Sequence, residues 1–148
     1  MSLDPELTRE DGARVCAIAD ALELIGDRWS LLVVRELGFG VRRFTGIQRN
    51  TGAPREVLTA RLRKLEQVGI VTRRPYSEHP PRYEYHLTQA GRELFPVMLA
   101  LREWGDKWAV ASPSIEVKHD CGHVLEVDRS CRHCGGPVTH DTTKPFSL

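Results

Sequence analysis

Three of the four cysteines fall close together near the end of the chain, in His119-Asp120-Cys121-Gly122-His123 and Cys131-Arg132-His133-Cys134-Gly135. Cys131 and Cys134 have the spacing of a zinc knuckle, and Cys134-Gly135 repeats Cys121-Gly122. The glycine after Cys121 and after Cys134 lets backbone amides turn toward sulfur. Cys121, Cys131 and Cys134 supply three ligands, and the fourth is His119 or His123. His119 is favoured, because Cys121 then plays the second member of the first knuckle. Protein ligands fill every position of such a site, so the expected zinc is structural, without the open coordination of a catalytic metal. A metal-free two-stranded tail is the alternative. The pair Cys131/Cys134 also raises an enzymatic reading, a thiol-disulfide oxidoreductase. Such motifs open a helix beside a βαβ unit. Here Gly135-Gly136-Pro137 blocks a helix and the chain has no βαβ pattern, so no enzyme is expected. Cys16 stands apart. If a helix begins near it, the free amides favour thiolate and raise reactivity. If the helix starts earlier, Cys16 is a small buried packing residue.

The second chemistry is cationic. In Pro54–Gly69, PREVLTARLRKLEQVG, Leu58, Leu62 and Leu65 recur at steps of four and three and form one stripe of a helix. Glu56, Ala60, Arg63, Lys64 and Gln67 lie about half a turn away, with Thr59 and Arg61 on the flanks. Arg55 adds a cation to the first turn. A face of this kind suits the major groove of DNA, where arginine reads guanine and polar side chains reach other base edges. An ordinary solvated surface helix is the competing reading. The surroundings favour the first. Residues 40–85 carry ten Arg or Lys against four Asp or Glu, residues 1–39 four against eight, and residues 86–148 seven against eight. The overall charge of +1 therefore hides a basic centre of the kind a polyanion would select.

The elements around that helix define its setting. Val15, Ile18, Leu22 and Ile25 keep helical steps from about Ala13 to Ile25, and Gly26 ends that helix. Asp27 caps a second helix that turns Trp29, Leu32, Val33 and Leu37 inward. Thr45-Gly46-Ile47-Gln48 fits a capping box opening a short helix, roughly Gly46 to Arg49. A turn at Asn50–Ala53 then leads into the basic helix, which Pro54 opens and Gly69 closes; short helix, turn and long helix make a helix-turn-helix. Ile70–Arg74 reads as a strand, Pro75–Pro81 as a loop and Arg82–Leu87 as a second strand. This hairpin is the wing of a winged helix, with Arg73, Arg74, His79 and Arg82 placed to touch phosphate or enter the minor groove. Thr88 caps a final long helix to about Val110, bent at Pro96. Its apolar side, Leu94, Val97, Met98, Leu101, Trp104 and Trp108, widened by Phe95, Leu99 and Ala100, is too broad for a helix resting on a small domain alone and is expected to form a dimer interface, with packing on its own domain as the alternative.

At this point the chain resembles the HxlR-type transcriptional regulators, winged-helix proteins related to the MarR group. The likeness runs from about Cys16 to Trp108. It is carried by CAIADALELIGDRWSLLVVREL, GVRRFTGIQRNTGAPREVLTARLRKLEQVGIV, YSEHPPRYEYHLTQAGREL and LREWG. It implies a dimeric DNA-binding repressor or activator without catalysis. By position it places Arg42 and Arg43 before the helix-turn-helix, Arg61 and Arg63 in the reading helix, and Arg82 and Tyr83 on the second wing strand. It also places Cys16 where some members carry a thiol sensor for electrophiles or oxidants. Where many relatives open the reading helix with serine or alanine, this chain has Pro54 and lacks a capping hydroxyl.

The expected architecture is mainly α with a small β-hairpin: a flexible N-terminus (1–12), a winged-helix DNA-binding and dimerisation domain (13–110), and a small zinc-ribbon-like β tail (111–148) beginning at Ser112-Pro113-Ser114. The expected function is a homodimeric regulator, a repressor in the first instance, acting on double-stranded DNA at a pseudo-palindromic operator. The effector is left open among an electrophile, an oxidant and a small molecule. A protein-interaction module is the alternative, against which the basic centre argues. No apolar run reaches the length of a membrane span and MSLDPELTRED is no signal peptide, so a cytoplasmic protein is expected.

Overall fold

The leucine stripe is the centre of the core. In the structure, a computed structural model describing residues 16–109, 111 and 115–144, Leu58, Leu62 and Leu65 are all buried. Each contributes about 1.5–3 kcal/mol by leaving water. Around them pack Ile25, Val33, Val34, Leu37, Ile47, Ala53, Ile70 and Val71. These come from α1 (Ala17–Ile25), α2 (Arg28–Gly38), α3 (Phe44–Thr51), the turn before α4 (Arg55–Gln67), and the start of strand β1 (Val71–Glu78). Strand β2 (Pro81–Leu87), α5 (Gln89–Arg92) and α6 (Phe95–Trp108) follow.

The α1–α2 corner forms as the sequence predicts. Asp27 is the N-cap of α2, accepting from the amides of Trp29 at 2.9 Å and Ser30 at 3.0 Å, and from the Ser30 hydroxyl. Val33 and Leu37 are buried, while Trp29 and Leu32 are half-buried. Ile18 and Leu22 of the α1 stripe are 70% and 58% exposed; only Ile25 enters the core. Val15, Ala13 and the 1–12 segment lie outside the described residues.

Several boundaries differ from expectation. α3 begins at Phe44 with Arg43 as N-cap and no side-chain cap, so the Thr45–Gln48 capping box does not form. Starting two residues earlier buries Ile47 and half-buries Phe44. Pro54 is the N-cap of α4 rather than its first helical residue. At the other end Gly69 (φ +75°) allows a Schellman closure: Ile70 N–H donates to the Leu65 carbonyl at 2.9 Å and Gly69 N–H to the Glu66 carbonyl at 3.1 Å.

The hairpin strands are longer than predicted. β1 runs through Pro75 to Glu78 and β2 starts at Pro81, leaving only His79-Pro80 as the turn. The antiparallel register pairs Val71 with Leu87, Arg73 with Tyr85 and Pro75 with Tyr83, then slips by one residue before Ser77 pairs with Arg82. A proline cannot donate to the ladder and is tolerated at a bulge. The segment before α3 adds to the sheet edge: Tyr85 N–H donates to the Arg42 carbonyl at 2.8 Å, and Arg43 bridges Glu84.

The single long helix after Thr88 is two helices. Thr88 caps the four-residue α5, accepting from Gly91 N–H at 3.2 Å and donating to the Gly69 carbonyl at 2.6 Å. A Cβ on Gly91 would lie 2.4 Å from the Ile70 carbonyl oxygen, so α5 sits against the strand start only because that residue is glycine. Pro96, which cannot donate to a preceding turn, falls in the first turn of α6 instead of bending a continuous helix. Val110 and the Ser112–Ser114 linker lie outside the described residues.

Beyond α6, residues 115–144 contribute nothing to the buried core. In place of the expected strands there are two isolated bridges, Lys118 to Val124 and Ser130 to Pro137, and a short 3-10 turn at His140–Thr142. An ion pair between Arg129 and Glu103 at 2.9 Å ties this tail to α6. No helix among the described residues is long and apolar enough to cross a membrane.

Candidate nucleic-acid interface

Burial of one α4 face dictates what the other presents. Arg55, Glu56, Ala60, Arg63 and Gln67 are exposed, and Thr59 is half-buried with its hydroxyl donating to the Arg55 carbonyl at 2.9 Å. The Arg55 guanidinium lies over the Phe44 ring, 5.3 Å from its centre, which joins the first turn of α4 to α3. Two basic residues of α4 have inward partners. Lys64 donates its ammonium to the Glu23 carbonyl at 2.6 Å, in the last turn of α1, where a cation complements the helix dipole. Arg61 Nε lies 3.4 Å from Asp27 Oδ1, and that nitrogen is buried with no hydrogen-bond acceptor. Burial raises the Asp27 carboxyl, but the Ser30 and Trp29 hydrogen bonds and the Arg61 charge together hold it below its ordinary value. The corner between the first two helices is thus keyed to the middle of α4.

The wing cations divide in the same way. Arg73 lies over the Tyr83 ring at 4.5 Å and within 3.5 Å of Glu66 on α4, which joins wing to helix. Arg43 stacks on Tyr76 at 4.6 Å and pairs with Glu84 at 3.7 Å. Burial pushes the Tyr85 hydroxyl up; Arg73 and Arg63 act against that shift and Glu66 with it, so these side chains share one neighbourhood. Arg74, His79 and Arg82 are exposed, the last two at the hairpin tip. Arg42 is exposed and its guanidinium bonds the Nδ1 of His86. His86 and Arg92 were not among the residues predicted for the site. Burial, reinforced by Arg42 and Arg74 and opposed by Glu84, lowers the His86 imidazole, which is neutral at pH 7.

On α6 the six apolar residues split. Leu94 and Met98 pack against the core of their own chain, whereas Val97, Leu101, Trp104 and Trp108 are exposed, the two tryptophans by 62% and 67%. Cys16 is half-buried and is the N-cap of α1. In the tail each predicted half-site is a closed turn. Gly122 (φ +90°) donates its N–H to the His119 carbonyl at 2.8 Å, and Cys121 N–H donates to His119 Nδ1 at 3.2 Å. Gly135 (φ +72°) donates to the Cys131 carbonyl at 2.7 Å. The amides of Cys134 and His133 and the Cys134 thiol point at the Cys131 sulfur and hold its thiol below the ordinary range. The two turns are not gathered: among the described residues no three His, Cys, Asp or Glu side chains form a metal cluster. Closing the turns by backbone bonds draws nothing across the gap between them. Cys131 and Cys134 occupy a turn, not the helix start that a dithiol oxidoreductase uses.

Comparison with known proteins agrees with this geometry. A family model described as HxlR-like helix-turn-helix matches residues 24–113. An HTH-type transcriptional regulator of Mycobacterium tuberculosis is 45% identical over 132 residues, 87% of this chain and 84% of that relative. One from Synechocystis is 45% identical over 96 residues, 64% of this chain and 70% of the relative. Among solved structures, PA1607, described as a candidate transcription factor, is similar with a TM-score of 0.79 and 32% identity, covering 88% of this chain and 94% of its own. The redox regulator HypR in its oxidized form is similar with a TM-score of 0.56 and 34% identity, covering 65% of this chain and 100% of its own.

Proposed function

Because this chain belongs to the HxlR-like helix-turn-helix family and is a transcriptional regulator of winged-helix fold, we propose that it acts as a homodimer on a pseudo-palindromic DNA operator. One observation carries the reading: α4 buries its leucines and leaves Arg55, Glu56, Ala60 and Arg63 facing out, beside a wing whose tip bears Arg82 and His79. Arg63 reads base edges in the major groove, and Arg74, His79 and Arg82 hold flanking phosphate. Arg61 and Lys64 position the helix against the first two helices rather than read DNA. A second copy covers Val97, Leu101, Trp104 and Trp108, and two-fold symmetry sets the reading helices about one duplex turn apart. Occupancy of the operator then blocks polymerase. Footprinting on DNA selected from random sequence tests this. Two protected half-sites about 10 base pairs apart, lost steeply with added salt, are the expected result. An even, sequence-blind footprint, or salt-independent binding, contradicts it.

For the tail we propose a structural zinc held by Cys121, Cys131, Cys134 and His119 or His123. Support comes from the two turns, each already shaped with a left-handed glycine after its cysteine. The tail has no share in the buried core, and the ion would supply the attraction that joins the two turns. A thiol response through Cys16 is favoured by its place at the N-cap of α1 and by the likeness to a redox regulator.

A further inference from the structure

A cleft of about 380 Å³ opens between the end of α2, the base of the wing and α5. Arg42, Arg74, His86 and Arg92 line it, over a floor that includes Leu37 and Leu87. Its size is that of a small-molecule site. The three arginines come from three separate segments, and among the described residues none of them has an ion pair. Their neighbours do: Arg43 takes Glu84, and Arg73 takes Glu66. Arg74 faces Glu84 across the ladder, but that carboxylate is paired with Arg43.

Two of the three guanidiniums are also held in place. Guanidinium has no acceptor, so in the Arg42 contact His86 Nδ1 accepts. The imidazole proton is then on Nε2, which lies 3.7 Å from Glu84 Oε2. His86 thus holds the Arg42 guanidinium. Arg92 donates Nη1 to the Leu87 carbonyl at 3.0 Å. Each anchored guanidinium keeps its remaining donors for a ligand, with little ordering left to be done on binding. Planar forks of this kind match carboxylate or phosphate oxygens in pairs.

We propose that this cleft is a binding site for a small oxyanion, a carboxylate or phosphate ester with a modest apolar body against Leu37 and Leu87. Its regulatory consequence rests on the DNA-binding reading above. Arg74 is drawn from the phosphate contacts and Arg42 from the approach to α3, so an occupied cleft removes cations from the DNA-facing set. The bound oxyanion then weakens operator binding, and the operator weakens the oxyanion by the same factor.

The test titrates the full-length chain with inorganic phosphate and with citrate, against chloride of matched ionic strength. The readouts are calorimetry and thermal unfolding. Phosphate or citrate should bind saturably and raise the unfolding temperature beyond chloride, and Arg92→Gln and Arg74→Gln should each weaken binding about tenfold or more, the loss expected for a charge-assisted hydrogen bond. Unfolding of the variants without anion checks that they are folded. In the wild type the saturating oxyanion should lower operator affinity beyond the matched chloride. Arg92→Gln, which lies outside the DNA-contacting set, should bind operator normally and lose that effect. Equal shifts with chloride, or undiminished oxyanion binding in both variants, overturn the site. Protection by duplex DNA alone, with no response to either free oxyanion, assigns the cleft to backbone phosphate and also overturns it. If the oxyanion binds but no duplex does, the cleft stands and the operator reading falls.

Discussion

Removing the carboxylate of Asp27 tests how the reading helix is held. In Asp27→Ala, α2 loses an N-cap that accepts from Trp29 and Ser30, a loss of about 1 kcal/mol. The same change removes the carboxylate 3.4 Å from Arg61 Nε; that nitrogen has no hydrogen-bond acceptor in the wild type either, so what is lost is the charge pair. Between two partly exposed groups that adds up to about 1 kcal/mol. A total of about 1–2 kcal/mol should lower the unfolding midpoint by roughly 4–10 °C in a domain of this size. Asp27→Asn keeps a capping oxygen and removes only the charge, so it should cost about 1 kcal/mol. The pH dependence has a definite sign. The folded carboxyl is lowered from 3.8, so its contribution is complete above that value and is lost as pH falls through the lower folded one. Wild type and Asp27→Asn should therefore converge in acid. Urea and thermal unfolding followed by circular dichroism, with a double-mutant cycle against Arg61→Met, measure all of this. Equal stability of Asp27→Ala and Asp27→Asn, with no coupling to Arg61, would refute the corner lock.

Three further outcomes follow from the fold and the proposals. Leu101→Lys with Trp104→Lys should leave each chain folded, since both side chains are exposed, while sedimentation shows a monomer that has lost operator affinity; an unchanged dimer places the interface elsewhere. Metal analysis of protein purified under reducing conditions should find one zinc per chain, lost in Cys131→Ser; metal-free protein ends the zinc proposal. Oxidant should release DNA from the wild type and not from Cys16→Ser; equal release from both excludes Cys16 as the sensor.

Much of this fold was legible because periodicity and capping are local. The stripe Leu58, Leu62, Leu65 can be buried in only one way, and Asp27 two residues ahead of Trp29 announces a helix start. What was misread depends on partners distant in sequence. Pro75 looks like a strand breaker, yet β1 tolerates it by slipping register beside it. Thr88 to Trp108 has helical character throughout, but the tight approach of Gly91 to Ile70 and the missing amide of Pro96 divide it. Lys64 lies on the basic face by spacing, and only its reach to Glu23 shows that it serves α1. The oxyanion cleft was invisible, since Arg42, Arg74, His86 and Arg92 come from four segments with no shared motif.

The central claim is that α4 reads bases while the wing tip holds phosphate, and Arg63→Ala beside Arg82→Ala tests it most directly. Both are assayed by anisotropy on the selected operator and on a scrambled duplex across a salt series. Arg63→Ala should cut operator affinity by about 1–3 kcal/mol per half-site and leave the scrambled duplex nearly unaffected. Arg82→Ala should weaken both duplexes alike and reduce the salt slope by about 1 for each phosphate it no longer neutralises. Equal losses on both duplexes from Arg63→Ala would contradict the assignment of α4 as reader.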